Sequence, residues 1–131
     1  MTTLLDRHGK LSAFFYNNKV LLASTSEVIG IILGDCVFGK SGEVKGKIFN
    51  KTLYAASGEI VAREQELQNI PAFDPLNALF EGWAIIDKIT HHECPWITPK
   101  DKWHPLSIEA LLKQEGQLTL LKRNTESKVL Q

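Results

Sequence analysis

Two stretches, LLDRHGKLSAFF (residues 4–15) and VFGKSGEVKGKIFNKTLYAASGEIVA (residues 37–62), repeat one pattern that decides the fold. Each copy reads apolar–x–x–x–anchor–x–apolar–x–small–x–apolar, except that Glu64 stands at the last apolar position of the fourth copy. The four anchors are Gly9, Ser26, Gly42 and Gly58, with spacings of 17, 16 and 16 residues. The four copies have the same residue types at several positions relative to the anchor, which is hard to obtain by chance. The sequence therefore predicts four related units over residues 4–63.

The pattern within each unit is typical of paired strands. Apolar residues on every second position after the anchor indicate a strand with one buried face. Glycine at three anchors favours tight turns, because it adopts a positive φ at no steric cost. Ser26 departs from this, so the second turn is expected to differ in type or to carry strain. The loops between units are predicted to be the two-residue turns Asn17-Asn18, Gly34-Asp35 and Asn50-Lys51. We therefore expect a meander of about eight short strands over residues 4–63.

One position of each long strand is always small. These residues are Ala13, Gly30, Gly46 and Ala62. A small residue between large apolar ones on the same face indicates close backbone approach. We expect the four positions to meet near a pseudo-fourfold axis, with their large neighbours filling the space above and below. The alternative is that they only accommodate bulky neighbours across one sheet.

The repeated stretches resemble the four-fold β-flower domain of bacterial proteins, in which four short hairpin units surround an axis. The resemblance covers residues 4–63, about half of the chain, and it depends on a structural motif. The family has no assigned activity and no catalytic motif. The resemblance therefore implies a fold and a bacterial source, and it supplies no catalytic residue.

The second half predicts a helix that follows an extended apolar stretch over residues 70–73. Asp74-Pro75 is typical of a helix N-cap followed by proline at the first helical position. The helix is expected to run from about Pro75 to about Thr90. Gly82 within it would permit tight packing on a strand. The apolar positions that share one helical face are Leu76, Leu79, Phe80, Trp83, Ile86 and Ile89.

A stiff loop and a second helix are predicted beyond it. The prolines within residues 94–99 favour a rigid extended loop, and Trp96 and Trp103 are expected to pin it to the body. A second helix is predicted over residues 108–115, between a Ser107 cap and Gly116. Residues 117–131 fit a short strand and a helix equally well.

Charge and composition restrict the function classes. Fifteen basic and fifteen acidic residues give a net charge of 0, which argues against binding of nucleic acid or membranes through bulk charge. Residues 1–63 carry eight basic and five acidic residues, and residues 64–131 carry seven and ten, so the regions carry +3 and −3. The opposite signs favour docking of a helical region, 64–131, on a hairpin region, 1–63, in one folded α+β unit.

The expected compartment is the cytoplasm. The N-terminus lacks a basic start followed by a long apolar stretch, so no secretory signal is visible. No apolar tract is long enough to span a bilayer. Without export, the two cysteines are expected to be reduced thiols.

The most suggestive chemical groups are the two histidines, the glutamate and the cysteine of residues 91–94. Adjacent residues of a helix point about 100° apart, so the two histidines cannot easily share one metal ion. His91 and Cys94 could do so only if the helix persisted to Cys94, with Cys36 or His104 completing the site. We expect instead that these groups complement a helix C-terminus, and we predict no metal and no cofactor.

Other chemistry is weakly supported. Neither cysteine has the local signature of a catalytic nucleophile, and Cys36 is expected to be a small apolar filler. No phosphate-binding loop is visible. A local basic stretch is expected to be a solvated sheet face, with nucleic-acid binding as the weaker alternative; it consists of Lys40, Lys45, Lys47 and Lys51.

The leading hypothesis is a non-enzymatic binding or protein-interaction module, because no catalytic constellation is visible. Its partner would be an unknown protein or a small ligand, and a homodimer is compatible with short edge strands. The alternative is a small metal-dependent or hydrolytic enzyme using His91, His92, Cys94 and His104. The stiff loop is the predicted functional surface, since little ordering is needed there, unless it only seals the sheet. The predicted surface residues are His91, His92, Cys94, Trp96 and His104.

Overall fold

The computed structural model describes residues 2–90 and 93–114, which form strands first and helices last. The strands are β1 (Thr2–Leu5), β2 (Leu11–Tyr16), β3 (Lys19–Leu22), β4 (Val28–Leu33), β5 (Cys36–Gly39), β6 (Val44–Phe49), β7 (Thr52–Ala55) and β8 (Ile60–Glu66). The helices are α1 (Pro75–Ile86) and α2 (Ile108–Lys113). The expectation of about eight short strands followed by two helices is confirmed.

The strands form a closed antiparallel barrel. Each strand pairs with the next, and β1 also pairs with β8, from Thr2↔Glu66 to Leu5↔Arg63. β8 therefore continues to Glu66, three residues beyond the hairpin region of residues 1–63 that the sequence predicted. The strand persists through polar residues because β1 supplies backbone hydrogen-bond partners there.

The turn within each unit contains the anchor residue of that unit. In the first unit the Asp6 N–H donates to the Lys10 carbonyl at 2.9 Å, and the third and fourth units repeat this four-residue span. In the second unit the Leu22 N–H donates to the Glu27 carbonyl at 2.8 Å, which spans one residue more. Ser26 has a φ of +64°, the left-handed conformation that the glycine anchors also adopt. The expected departure of the second turn is confirmed, and the extra residue accounts for the 17-residue spacing.

The loops between the units are the predicted two-residue turns. The flanking pairs are Tyr16↔Lys19, Leu33↔Cys36 and Phe49↔Thr52. Asparagine is common at positive φ because its short polar side chain tolerates that region. Asn17, Asn18 and Asn50 all adopt it.

A register shift interrupts every anchor hairpin at an equivalent place, between Leu4 and Leu5, Val20 and Leu21, Val37 and Phe38, and Leu53 and Tyr54. A β-bulge of this kind sets two residues of one strand opposite one residue of its partner. Strict alternation therefore fails after each anchor: Val28 packs in an outer cluster, whereas Ile29 packs in the barrel. The single face predicted for these strands is wrong at this position.

The predicted close approach is present at Gly30 and Gly46, where the paired strand supplies the approaching group. A Cβ on Gly30 would lie 2.8 Å from the Phe38 carbonyl oxygen. A Cβ on Gly46 would overlap the carbonyl oxygen of Tyr54. Only a residue without a side chain fits these two positions.

The barrel core extends into α2. The buried barrel residues of this cluster are Leu4, Ala13, Val20, Leu22, Ile29, Val37, Leu53, Ala55, Val61 and Ala62, and α2 adds Ile108, Leu111 and Leu112. The Lys40 N–H donates to the Leu112 carbonyl at 2.8 Å. A Cβ on Gly39 would lie 2.6 Å from that same oxygen, so Gly39 leaves room for the end of the helix.

The start of α2 agrees with the sequence, and its end is earlier than expected. The Ser107 hydroxyl accepts a hydrogen bond from the Ala110 N–H at 3.1 Å, as predicted for a cap. The helix ends at Lys113 because Gln114 is extended, with a ψ of 129°. The predicted stop at Gly116 and the predicted alternatives for residues 117–131 lie outside the described residues.

Helix α1 begins as predicted and ends four residues early. The Asp74 carboxylate accepts hydrogen bonds from the Leu76 and Asn77 N–H groups at 3.0 and 3.4 Å. The chain then tightens, since the Lys88 N–H donates to the carbonyl three residues earlier, at Ile85. The Lys88 backbone lies against the turn at Gly42, where a Cβ would be 2.7 Å away. This contact redirects the chain before Thr90.

The barrel contacts only one side of α1. Ala78, Gly82 and Ile85 are the buried residues of α1. A Cβ on Gly82 would lie 2.7 Å from the Lys19 side chain, so the predicted tight packing at this glycine is confirmed. Phe73 packs beside the helix at 5.4 Å from the Phe14 ring, as the extended stretch predicted. This outer cluster contains the barrel residues Phe14, Leu21, Val28 and Ile31.

Candidate functional site

The three predicted surface residues that the structure describes, Cys94, Trp96 and His104, do not line one pocket. His91 and His92 lie outside the described residues. Cys94 lies beside the β4–β5 turn, with its Sγ 3.9 Å from the Asp35 carboxylate. Trp96 lies near Lys47 of β6, whereas His104 lies near Glu59, ahead of β8. The loop distributes these groups along the outside of the barrel.

Backbone hydrogen bonds hold the second part of the loop on the fourth unit. The Lys100 N–H donates to the Gly58 carbonyl, and the His104 N–H donates to the Ile60 carbonyl, both at 2.8 Å. The buried Ile97 anchors the loop. Trp96 is 86% exposed, so its predicted anchoring role is wrong. Trp103 contacts the barrel through Arg63, whose guanidinium lies 5.6 Å from the ring centre.

Both ring nitrogens of the His104 side chain lie close to neighbouring protein groups. Its Nδ1 accepts a hydrogen bond from the Leu106 N–H at 3.0 Å, and its Nε2 lies 3.8 Å from a Glu59 carboxylate oxygen. The Ser57 hydroxyl and then Lys102 hold the pKa of Glu59 below its usual value. A general base needs a free ring nitrogen within reach of a substrate proton. Both nitrogens of His104 face protein groups.

His104 borders an open cleft of about 500 Å³ together with the first anchor turn. Polar groups of this turn are also engaged: Arg7 donates to the His104 carbonyl at 3.0 Å, and the Asp6 carboxylate accepts the N–H groups of His8 and Lys10. The Lys10 N–H is the main cause that lowers the pKa of Asp6. The polar groups that line this cleft are thus held by hydrogen bonds that stabilise the turn.

The cysteines form a neighbouring pair of thiols. Cys36 is 3% exposed, which confirms its predicted role as an apolar filler. Burial, and then the adjacent Cys94 thiol, raise the pKa of Cys36 to about 12. Cys94 lies in the loop beyond α1, so the helix does not persist to Cys94, as a metal ion shared with His91 required. Within residues 2–90 and 93–114, no cluster of three or more metal-ligand side chains occurs.

A shallow groove of about 230 Å³ lies beneath Trp96, beside Phe49 and Pro99. The Lys47 ammonium lies 6.0 Å from the Trp96 ring centre and 3.7 Å from the Asp35 carboxylate. Lys45 of the same strand is only 8% exposed. The predicted solvated lysine face is therefore wrong at Lys45, because the bulge breaks the alternation that would place both lysines on one side.

Among the residues that the structure describes, five exposed large apolar side chains lie together on α1, and the sequence did not determine the direction in which they point. The stripe that the helical spacing identified points to solvent: Leu76 is 60% exposed, Leu79 43%, Phe80 63%, Trp83 55% and Ile86 36%. We call these five residues the outer face of α1. The signal that could have revealed it is the opposite side, where Ala78 and Gly82 are small enough for the helix to lie close to the barrel.

Comparisons with protein-family models, curated proteins and solved structures found no match for this chain. Among the residues that the structure describes, no helix is both long and apolar enough to cross a membrane.

Proposed function

We propose that this protein is a non-enzymatic interaction module in which the barrel is a rigid support and the outer face of α1 is the docking surface. The exposure of five large apolar side chains on one helix carries this proposal. The largest exposed apolar patch of a soluble monomer covers about 300–600 Å² and is often functional. An amphipathic helix that displays residues at i, i+3, i+4 and i+7 is a common recognition element.

The site geometry favours a binding role over a hydrolytic one. The nitrogens of His104 are engaged, and the raised pKa of Cys36 keeps that thiol protonated at neutral pH. A cysteine nucleophile needs the thiolate. The proposed partner contact is therefore placed on α1, and the loop of residues 93–104 stabilises the fourth unit of the barrel.

The β-flower resemblance belongs to the same proposal. We propose that the four units surround a pseudo-fourfold axis, supported by the equivalent bulge in every anchor hairpin and by the small residue that follows it. A bacterial source and a cytoplasmic location remain predictions from the sequence.

Capture of binding partners by a tagged chain tests the proposal. We expect Trp83→Ser and Phe80→Ser to reduce capture at least tenfold, because each removes a large exposed apolar contact. Asn77→Ser on the same helix is the matched control. His104→Ala tests whether partners bind the loop of residues 93–104 instead. Circular dichroism checks that each variant remains folded. Capture that His104→Ala abolishes and the α1 variants leave unchanged would overturn the assignment.

A further inference from the structure

We infer that the outer face of α1 is a homodimer interface, on which a second copy of this chain packs its own α1 in the antiparallel direction across a twofold axis near Phe80. This inference rests on the proposed function, and it names the partner that the docking surface takes.

The spacing of the outer face is that of a helix–helix seam. Leu76, Leu79, Trp83 and Ile86 are separated by three, four and three residues, and Phe80 widens the stripe. Positions a and d of a heptad repeat have this spacing, and they fill the contact between two packed helices. The opposite side of α1 already packs on the barrel. A helix that is apolar on both sides is normally covered on both sides.

The exposed area is sufficient for a dimer. With side-chain areas of about 150–250 Å², the exposed fractions amount to roughly 500 Å² of apolar surface for each copy. If all of this surface became buried, two copies would bury up to about 1,000 Å² from these five residues, which is close to the lower limit of specific interfaces. Residues around the seam would add to this area.

The charges of α1 permit self-association. Glu81 is the one charged residue of the sequence from Pro75 to Ile86, and its carboxylate accepts the Val28 N–H at 3.1 Å. Glu81 lies on the far side of the helix from Trp83, because two residues turn a helix by about 200°. The seam itself is uncharged, so two identical faces meet without like-charge repulsion. Antiparallel helices also oppose their macrodipoles.

The stripe is complementary to itself when it is reversed. A twofold axis near Phe80 sets Leu76 opposite Ile86 of the second copy, and Leu79 opposite its Trp83. Beside Leu76 and Leu79 lies a cleft of about 300 Å³, which Tyr16 also lines. The antiparallel arrangement brings the Trp83 indole of the second copy to this cleft. One face thus offers both the projecting aromatic group and the recess that receives it.

Light scattering after size-exclusion chromatography of the full chain tests the state of association. We expect twice the monomer mass from the low micromolar range upward. Phe80→Glu and Trp83→Glu should each halve the mass by placing a charge in the seam, and Asn77→Glu should leave the dimer intact. Melting curves for all variants separate dissociation from unfolding.

Cysteine cross-linking tests the direction of packing in a Cys36→Ser, Cys94→Ser background. We expect a mixture of Leu76→Cys and Ile86→Cys chains to form disulfide-linked dimers when copper–phenanthroline and dissolved oxygen oxidise the two thiols. Each variant alone should remain largely uncross-linked. Cross-linking of Leu76→Cys with itself would overturn the antiparallel arrangement.

The two proposals fail differently. A monomeric wild-type chain at all concentrations overturns the homodimer, and the docking surface then belongs to another partner or to residues 115–131. A dimer whose mass neither glutamate substitution reduces must have its interface elsewhere, which also overturns the homodimer through α1. The proposed function is overturned if the α1 variants capture every partner, other proteins and a differently tagged second copy alike, as well as the wild type does.

Discussion

Ser26 has the backbone conformation that glycine has at the other three anchors. Its φ of +64° costs about 1–2 kcal/mol for a residue with a Cβ. Its hydroxyl donates to the Ala72 carbonyl at 3.0 Å and holds the segment before α1 on the second turn. This hydrogen bond contributes about 0.5–1.5 kcal/mol, which offsets much of the strain.

Substitutions of Ser26 separate strain from hydrogen bonding. Ser26→Ala loses the hydrogen bond and keeps the strain, so we expect the free energy of unfolding to fall by about 1 kcal/mol. Ser26→Gly loses both, and we expect it to be more stable than Ser26→Ala by about 1 kcal/mol. Urea denaturation measures both values. Equal stabilities for the two variants would contradict a strained turn.

The two thiols are expected to differ in reactivity. The pKa of Cys36 is raised to about 12, so this buried thiol has almost no thiolate at about pH 8. Cys94 is partly exposed. Iodoacetamide should therefore modify Cys94 of the native protein first, as mass spectrometry of the peptides would reveal.

The cysteine variants are the controls for this prediction. Cys36→Ser should leave native labelling unchanged, Cys94→Ser should nearly abolish it, and denaturant should expose one reactive thiol in each variant. Rapid native labelling of Cys36 would contradict its burial beneath the loop.

At the scale of elements, the backbone of a paired strand determines which glycines tolerate a side chain. The Tyr54 carbonyl occupies the place of a Cβ on Gly46. Both Gly46→Ala and Gly46→Leu should therefore destabilise the protein, and the leucine variant by several kcal/mol because the strand pair must separate. Thermal unfolding followed by circular dichroism measures the loss.

Gly9→Asn is the control for Gly46. A Cβ at position 9 would have no atom within 4 Å. Asparagine tolerates the positive φ of +75° that Gly9 has. We expect it to cost less than about 1 kcal/mol. A fully stable Gly46→Leu chain would remove the close approach and, with it, the argument for a pseudo-fourfold axis.

The elements could be predicted from the sequence where short-range chemistry determines them. Two-residue loops and the caps at Asp74 and Ser107 depend on neighbouring residues, and they lie where the sequence indicates. The last residues of β8 and the end of α1 depend on distant partners, β1 and the Gly42 turn. No local pattern encodes those contacts.

The candidate site was predictable only in part for a similar reason. Helical spacing found the stripe on α1, but its direction depends on how closely Gly82 approaches Lys19. The histidines and tryptophans of the loop led to the prediction of a functional surface there. The sequence could not indicate that Leu106 and Glu59 engage His104 or that Trp96 points to solvent.

At the scale of the whole molecule, Glu27 joins the end of α2 to the barrel. Its carboxylate forms ion pairs with Lys40 and with Lys113, the latter at 2.9 Å. The Lys40 hydrogen bond, followed by that of Lys113, lowers the pKa of Glu27 below its usual value. A lowered pKa in the folded state stabilises the protein above the unfolded-state pKa. This contribution is lost as the pH falls through the folded-state value.

The pH dependence of Glu27→Gln tests this link. At neutral pH we expect the variant to melt a few degrees below the wild type, because a neutral amide pairs weakly with two ammonium groups. Below about pH 4 the difference should shrink toward zero. Lys100→Gln changes an exposed charge elsewhere and should not reproduce this trend. A difference independent of pH would assign the effect to packing.

The closure of the barrel has a consequence for synthesis on the ribosome. One edge of β1 pairs with β2, which follows within a few residues. The other edge pairs with β8, from Thr2↔Glu66 to Leu5↔Arg63, and stays unpaired until β8 has been synthesised. At about 5–20 residues per second, the nascent chain keeps that edge unpaired for several seconds. During this time the edge can recruit a strand from a neighbouring nascent chain. The seam between the first and last strands is therefore where we expect crowded polysomes to produce misfolded protein.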